Sequence, residues 1–256
     1  MCLDGELVAL QEARIPVTDE GLLRGDGAFE VVRLYDGRPF ALDEHLDRME
    51  RSAENLRLAL ERGAVEADAR ALLAEAGPED GLLRIVVTRG GRRLAMLEPL
   101  PDVPPSIALA RVTYAPTRVL DGVKSLSYAA NMLAGRLARE RGFDEALLVT
   151  PHGRVLEAPT SSLFWVDAEG SINTPPLSEH ILASITRRLV MEVADVREQP
   201  CTMDDLRAAS EAFLASTTRE AQSIAAIEDL ALADGERTRE VGAALRQRID
   251  QELAAG

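Results

Sequence analysis

A chain of 256 residues with 46% hydrophobic content has apolar side chains enough for two modest cores, and its formal charge of -14 argues against a binder of phosphate backbones, which needs clustered surplus Lys and Arg. Cys2 and Cys201 stand far apart and without metal-ligand spacing, so neither a disulfide framework nor a metal site is indicated, and two inert thiols in a reducing cytoplasm are expected. No apolar run approaches the roughly 18 residues that span a bilayer, and the N-terminus lacks the basic-then-apolar order of a signal peptide, so a cytoplasmic protein with no membrane or nucleic-acid partner is expected.

In chain order, Leu7 to Leu10 reads as a short strand and leads through Arg24-Gly25-Asp26-Gly27 into a strand from Ala28 to Tyr35, with Asp36-Gly37 as a hairpin signal before Arg38 to Ala41. The two-residue period of a strand puts Phe29, Val31 and Arg33 on one face. Phe29 and Val31 are then the wall of a site or plain core, and a charged Arg33 beside them suggests a paired guanidinium. Asp43 is placed to cap a helix running to about Leu60, with Leu46, Met49, Ala53, Leu56 and Leu60 at helical spacing and Arg48 one turn in. A second helix, Ala67 to Ala76, ends at Gly77. The strand Leu82 to Thr88 opens into Arg89-Gly90-Gly91-Arg92-Arg93, a basic loop around two glycines. Pro101, Pro104 and Pro105 precede a strand from Ile107 to Val112, and Tyr114-Ala115-Pro116-Thr117 is the candidate linker between a domain of residues 1–116 and one of residues 117–256.

Lys124 follows the Asp121-Gly122 turn and precedes a helix with Ser127 as its N-cap, Ala129, Met132, Leu133 and Leu137 on its apolar side, and Gly142 as its stop. Strands from Ala146 to Thr150 and from Val155 to Glu157 are joined across His152-Gly153. A short strand, Ser171 to Thr174, ends at Pro175-Pro176. Ser184 reads as the N-cap of a helix with Leu189, Val190 and Val193 inward, and the unpaired N–H groups and partial positive charge of such a terminus suit a phosphate. Thr202, with Asp205 three residues on, caps a further helix. The strand Glu211 to Ala215 runs into the hydroxyl cluster Ser216-Thr217-Thr218, and a closing helix from Thr238 to about Leu253 turns Val241, Leu245 and Ile249 inward.

Three phrases join these elements: K-S-L-S-Y from Lys124, A-x3-A-R-x2-G-F-D-E-A-L-L-V from Ala134, and G-x-V-x-E-x-x-x-S-x-L-F from Gly153. Together they resemble the class IV aminotransferases, the fold-type IV enzymes of pyridoxal 5'-phosphate (PLP), a family that includes D-amino acid and branched-chain aminotransferases, (R)-amine transaminases and 4-amino-4-deoxychorismate lyase. The resemblance extends along nearly the whole chain. It implies an α/β (α+β) fold of two domains, a smaller N-terminal α/β domain and a larger C-terminal one with a β-barrel-like core, and a homodimer with active sites near its interface.

By the same resemblance Lys124 is the catalytic lysine, which joins the cofactor covalently and then carries a proton, so that one amine is both nucleophile and acid/base. Glu157 is the carboxylate that keeps the pyridine nitrogen protonated, the state in which the ring is an electron sink. Tyr128 stands at the cofactor's O3' or in the core, and Ser161 is the serine of the third phrase. E-H-L-D-R makes Arg48 the phosphate arginine, a role suited to its planar, permanently charged fork. L-x-S-I-T-R, similar to the family's L-x-G-I-T-R, assigns Leu182 to the ring and Ser184, Ile185 and Thr186 to the phosphate. S-T-T-x-E assigns Ser216 and Thr217 to a second phosphate turn. G-D-G-x-F-E sets Phe29, Val31 and Arg33 toward substrate, and Arg92 or Arg93 in the glycine loop is a second candidate beside Arg33 for the substrate carboxylate. The chain departs from the family at Ser184 for glycine, at Ser223-Ile224 for Pro-Val and at Ser162 for asparagine. The implied reaction is transamination between an amino acid or amine and a 2-oxo acid, with D-amino acid or (R)-amine donors favoured by E-V-V-R-L-Y-D-G and S-T-T-R-E. The lyase, a branched-chain L-amino acid aminotransferase and a non-catalytic PLP-binding dimer are the alternatives.

Overall fold

The computed structural model of the chain describes residues 1–233 and 235–255. Its mixed α/β architecture forms two units, the first joining Met1–Pro101 to Gly122–Tyr128 and the second joining Asp102–Asp121 to the chain from Ala129 onward. The chain therefore does not divide once near residue 116: the strand after Pro105 has its pairing partners in the second unit, and the segment around Lys124 returns to the first. Among the described residues no helix is long and apolar enough to cross a membrane.

The first unit contains β1 (Cys2–Leu3), β2 (Glu6–Leu7), α1 (Glu20–Arg24), β3 (Gly27–Tyr35), β4 (Arg38–Pro39), α2 (Leu42–Leu56), α3 (Arg62–Glu75), β5 (Gly81–Thr88) and β6 (Arg93–Glu98). They build a six-stranded sheet in the order β2-β1-β6-β5-β3-β4. β3 and β5 pair antiparallel over eight positions, with Phe29 opposite Val86 and Val31 opposite Arg84. One sheet face, with Val32, Leu34, Leu83, Ile85 and Val87, is covered by Leu46, Met49 and Ala53 of α2 and Val65, Ala69 and Leu72 of α3. Each of the larger side chains contributes about 1.5–3 kcal/mol by leaving water. Alternation assigns Phe29, Val31, Arg33, Arg84 and Val86 to the opposite face.

Four boundaries stand out against expectation. The first strand ends at Leu7 instead of continuing to Leu10. α2 starts at Leu42 on a left-handed Ala41 (φ 53), so Asp43 lies within the first turn and caps nothing. It stops at Leu56 because Arg57 takes φ 54 and the Leu58 N–H returns to the Ala53 carbonyl at 2.8 Å, a Schellman end made without glycine. α3 begins at Arg62 and not at Ala67.

The second unit contains β7 (Ser106–Thr113), α4 (Ala129–Glu140), β8 (Glu145–Val149), β9 (Arg154–Val155), β10 (Ser162–Val166), β11 (Ile172–Thr174), α5 (Ile185–Val193), β12 (Val196–Glu198), β13 (Cys201–Thr202), α6 (Met203–Ala208), β14 (Glu211–Ser216), β15 (Glu220–Ile227), β16 (Leu230–Ala231) and α7 (Glu236–Ala255). Among the described residues these strands form one curled sheet in the order β12-β11-β10-β14-β15-β7-β8-β9-β13, with β16 on β15. Ile107, Leu109, Leu147, Leu163, Trp165, Leu214 and Ile224 fill its core. Ser184 caps α5, Thr202 and Asp205 form a capping box on α6, and α7 buries Val241, Leu245 and Ile249, as the sequence indicates.

α4 reverses its expected orientation. Its buried residues are Ala134, Gly135 and Ala138, while Met132, Leu133 and Leu137 are 39%, 49% and 40% exposed. Small side chains let the helix lie close to β8: a Cβ on Gly135 would stand 3.0 Å from Oε1 of Glu145. Ser127 does not cap this helix, because its hydroxyl donates to the Gly25 carbonyl in the first unit's own segment.

Candidate active site

The segment carrying Lys124 is stitched to the end of β3 as an added strand. The Phe29 N–H donates to the Lys124 carbonyl at 3.0 Å, the Leu126 N–H donates to the Gly27 carbonyl at 2.9 Å, and Ala28 bridges Ser125. The Lys124 N–H donates to Oγ of Ser52 at 3.1 Å, and that hydroxyl donates to the Arg48 carbonyl at 2.9 Å. Lys124 is half-buried, with Nζ 4.5 Å from the centre of the Phe29 ring and 6.0 Å from that of Tyr128, and these two rings meet edge to face at 5.3 Å. Lys124, Phe29, Tyr128 and Arg48 are thus brought together within one unit. Lys124 is moreover the only lysine among the chain's 29 basic residues, hence its only side-chain primary amine.

Arg48 is buried and forks onto Glu30, its Nε donating to Oε1 at 2.7 Å and its Nη2 to Oε2 at 2.6 Å. His45 Nδ1 lies 2.7 Å from the same Oε2. Burial pushes the Glu30 carboxyl up, but the Arg48 charge and the hydrogen bonds from Arg48 and His45 outweigh it and hold the pKa down at about 2. Burial lowers the His45 pKa, so the imidazole is neutral and its Nδ1 carries the hydrogen facing the ionised Glu30.

The other arginines separate. Arg33 is buried beneath Tyr35, 4.8 Å from the ring centre, and reaches Oδ2 of Asp80 at 3.4 Å. Arg92 donates to Asp4 at 2.6 Å and Arg93 to Asp68 at 2.9 Å, so both tie the glycine loop to other parts of the first unit and neither joins the Phe29 group. The loop itself is pinned: Thr88 Oγ1 donates to Asp19 at 2.8 Å, and a Cβ on Gly90 would stand 2.1 Å from that carboxylate. Arg84 is the arginine that does approach Phe29, 5.7 Å from its ring centre, while its fork is held by Glu98 at 2.6 and 2.9 Å.

In the second unit Glu157 follows β9, and its Oε1 accepts the Leu182 N–H at 3.2 Å, which fixes the approach to α5. Tyr114 stands near this carboxylate: burial first, and then the Glu157 charge, push its phenol pKa up. At the N-terminus of α5 the Ser184 hydroxyl accepts the Arg187 N–H at 3.3 Å, and Ile185 and Thr186 are buried in the first turn, where amides have no intrahelical acceptor. At the end of β14, Ser216 Oγ lies 3.3 Å from Thr218 Oγ1 and accepts the Arg219 N–H at 3.3 Å, with Thr217 half-buried between them. Arg219 anchors this turn by donating to Glu145 at 3.2 Å, and burial lowers its pKa. Glu157, Leu182 and the start of α5 are thereby joined by hydrogen bonding and sequence, and Ser161 lies four residues beyond Glu157.

Residues 27–227 match the family described as amino-transferase class IV. The chain belongs to the class IV aminotransferases. A putative branched-chain-amino-acid aminotransferase of Methanocaldococcus jannaschii is 35% identical over 244 residues, covering 85% of this chain and 84% of that protein. D-alanine aminotransferase of Staphylococcus epidermidis is 30% identical over 269 residues, covering 96% of this chain and 93% of that protein. A fold IV-transaminase from Curtobacterium pusillum superposes with a TM-score of 0.86 at 30% identity, covering 96% of this chain and 92% of that one.

Class IV aminotransferases use PLP, and the residues of this member fit such a group. The hydroxyls of Ser161 and Ser162 are buried without a hydrogen-bond partner among the described residues, directly after the turn that carries Glu157. Buried orphan hydroxyls are costly, and they persist where a ligand or water supplies the missing bond. In the second unit a carboxylate, the N-terminus of the nine-residue α5 and two orphan hydroxyls suit a protonated ring nitrogen and a phosphate, and in the first unit the lone lysine is an amine that suits an aldehyde. Glu30, His45, Ser52 and Arg84 escaped the sequence reading of this aminotransferase. The signal for Glu30 and Arg84 is visible in retrospect: Glu30 is a charge among Ala28, Val32 and Leu34 on its face of β3, and Arg84 is a charge between Leu82 and Val86 on its face of β5.

Proposed function

We propose that this class IV aminotransferase uses PLP to move an amino group between an amino acid or amine and a 2-oxo acid, with D-amino acids or (R)-amines as preferred donors. The observation that carries the reading is the setting of Lys124: the chain's single lysine, fixed through its N–H by Ser52 and through its carbonyl by Phe29, with Nζ against the Phe29 ring. When bound, PLP supplies an electron sink for the charge left when a proton departs the substrate carbon. Lys124 holds the cofactor and afterwards moves that proton. Glu157 keeps a proton on the ring nitrogen, and its bond from the Leu182 N–H holds it in one orientation. Tyr128 donates to O3', and Leu182 packs on the ring. Arg48, the amides of Ile185 and Thr186, the Ser184 and Ser161 hydroxyls and the turn at Ser216 and Thr217 hold the phosphate, which fixes the reacting carbon relative to Lys124.

Phe29 and Val31 line the substrate side, and Arg33 with Arg92 takes the substrate carboxylate. Arg33 reaches Asp80 and Arg92 reaches Asp4, and both of these carboxylates are partly exposed. The donor preference is supported by the phrases E-V-V-R-L-Y-D-G and S-T-T-R-E and by the staphylococcal relative. A second reading, branched-chain L-amino acids, is favoured by the 35% identity to the archaeal relative. A homodimer working in the cytoplasm completes the proposal; Leu22 and Leu23, each 58% exposed on α1, and the apolar side of α4 support a covered surface.

Half-reaction spectra with D-alanine, branched-chain L-amino acids and an (R)-amine decide the donor. Faster bleaching of the cofactor band by D-alanine or the amine is expected. Faster bleaching by the L-amino acids would transfer the conclusion to the second reading.

A further inference from the structure

Glu30 places a carboxylate with 0% exposure on the helix-covered face of β3, where every neighbour in the strand on that face is apolar. An ionised group there is tolerated only if it is paired and hydrogen-bonded. Both oxygens are met: Arg48 binds Oε1 and Oε2 through two different nitrogens, and His45 adds a third bond to Oε2. His45 and Arg48 are three residues apart on α2 and so share the helix face that looks at β3. His45, Arg48 and Ser52 are 1%, 5% and 0% exposed, so the group is sealed from water.

The geometry has a direct effect on Arg48. A bidentate fork fixes the plane of a guanidinium and removes rotation about its last torsions, which a single bond would leave free. The C=O of the same residue is held by Ser52, whose oxygen also receives the Lys124 N–H, so the fork and the backbone of Lys124 belong to one chain of hydrogen bonds. Preorganisation of this kind lowers the ordering cost of binding.

Resting on the reading of Arg48 as the phosphate anchor, we propose that Glu30, backed by His45, is a positioning residue that orients the Arg48 guanidinium ahead of cofactor binding. Glu30 acts through Arg48, so its contribution to cofactor retention disappears when Arg48 is absent.

The test is PLP release from purified holoenzyme, followed by the cofactor's absorbance during dialysis, in wild type, Glu30→Gln, Arg48→Ala and the double variant. The melting temperature of the PLP-free proteins is recorded alongside. An amide offers one oxygen where three N–H donors converge, so Glu30→Gln is expected to speed release about tenfold, in line with the loss of a charge-assisted pair. Added to Arg48→Ala, the same change should alter release by less than about twofold. Wild-type release from Glu30→Gln, with fast release from Arg48→Ala, overturns this inference alone; factors that multiply in the double variant also overturn it, because Glu30 would then support the fold independently of Arg48. Wild-type release from Arg48→Ala removes the phosphate reading and the inference together. His45→Gln is the milder variant if Glu30→Gln does not fold. It is expected to speed release about threefold beside an intact Arg48 and not at all beside Arg48→Ala, because an amide N–H replaces only part of the bond that the imidazole gives the Glu30 carboxylate, and an equal factor in both backgrounds overturns the proposal.

Discussion

In the first unit the buried polar side chains near Lys124 satisfy one another: Glu30 takes three bonds from Arg48 and His45, and Ser52 links the Arg48 carbonyl to the Lys124 N–H. In the second unit the turn after Glu157 buries two hydroxyls, those of Ser161 and Ser162, that have no partner among the described residues. A closed network sets its own geometry whether or not a ligand is present, whereas an orphan hydroxyl costs about 1–3 kcal/mol until something binds it. The first unit therefore carries preorganisation in its fold, and the second carries unsatisfied polar capacity.

The largest effect is expected in the second unit. Glu157→Gln should retain PLP and lose turnover by on the order of a hundredfold or more, the scale of other preorganised electrostatic partners. Single-turnover rates within twofold of wild type would remove Glu157 from the ring nitrogen.

Acid should open the closed network next. The folded pKa of His45 is depressed by burial and that of Glu30 is about 2, held there against burial by Arg48 and His45, so in both cases the unfolded chain binds more protons as pH falls. Their stabilisation is full above the unfolded values and drains away on acidification, first below about pH 6.5 for His45 and then below about pH 4.3 for Glu30. The melting temperature of the PLP-free protein should fall by several degrees from pH 7 to pH 4, and His45→Gln should remove the upper part of that fall. A profile unchanged by His45→Gln would take His45 out of the linkage.

Much of this arrangement is legible in the sequence where the chemistry is local. The Ser184 cap, the Thr202 and Asp205 box and the inward stripe of α7 follow from residues three or four apart. The Glu30 fork is not legible, because it joins residues 18 apart on different elements and nothing in either element names the other. α4 shows an apolar stripe that periodicity reads as core, yet the strands behind it accept only Ala and Gly. β15 is poor in β-branched residues and is not among the strands read from the sequence, but β14 and β7 pair with it on both sides and tertiary context decides. The single lysine, in contrast, required only a count.

Smaller effects separate the substrate arginines. Arg33→Ala and Arg92→Ala should each raise KM for amino acids about tenfold while leaving a simple amine nearly unchanged, since only the amino acid loses a contact to its carboxylate. Equal losses for both substrates would assign these arginines to the fold through Asp80 and Asp4.

The smallest effects distinguish the two serine environments. Ser52→Ala should destabilise the PLP-free protein by about 1–3 kcal/mol, because the Lys124 N–H loses its acceptor. Ser161→Ala should stabilise the PLP-free protein by about 1–3 kcal/mol, because the orphan hydroxyl is removed, and weaken only the PLP-bound form. Equal destabilisation of the two PLP-free variants would erase the difference between the units.

Lys124 as the amine that carries the cofactor is tested most directly by borohydride reduction of the holoenzyme, followed by digestion and mass mapping. One reduced pyridoxyl group per chain on the peptide containing Lys124, and none after Lys124→Arg, is the predicted result. A label on the Met1 amine, or full retention of an unlabelled cofactor, would contradict it, since the chain offers no other lysine.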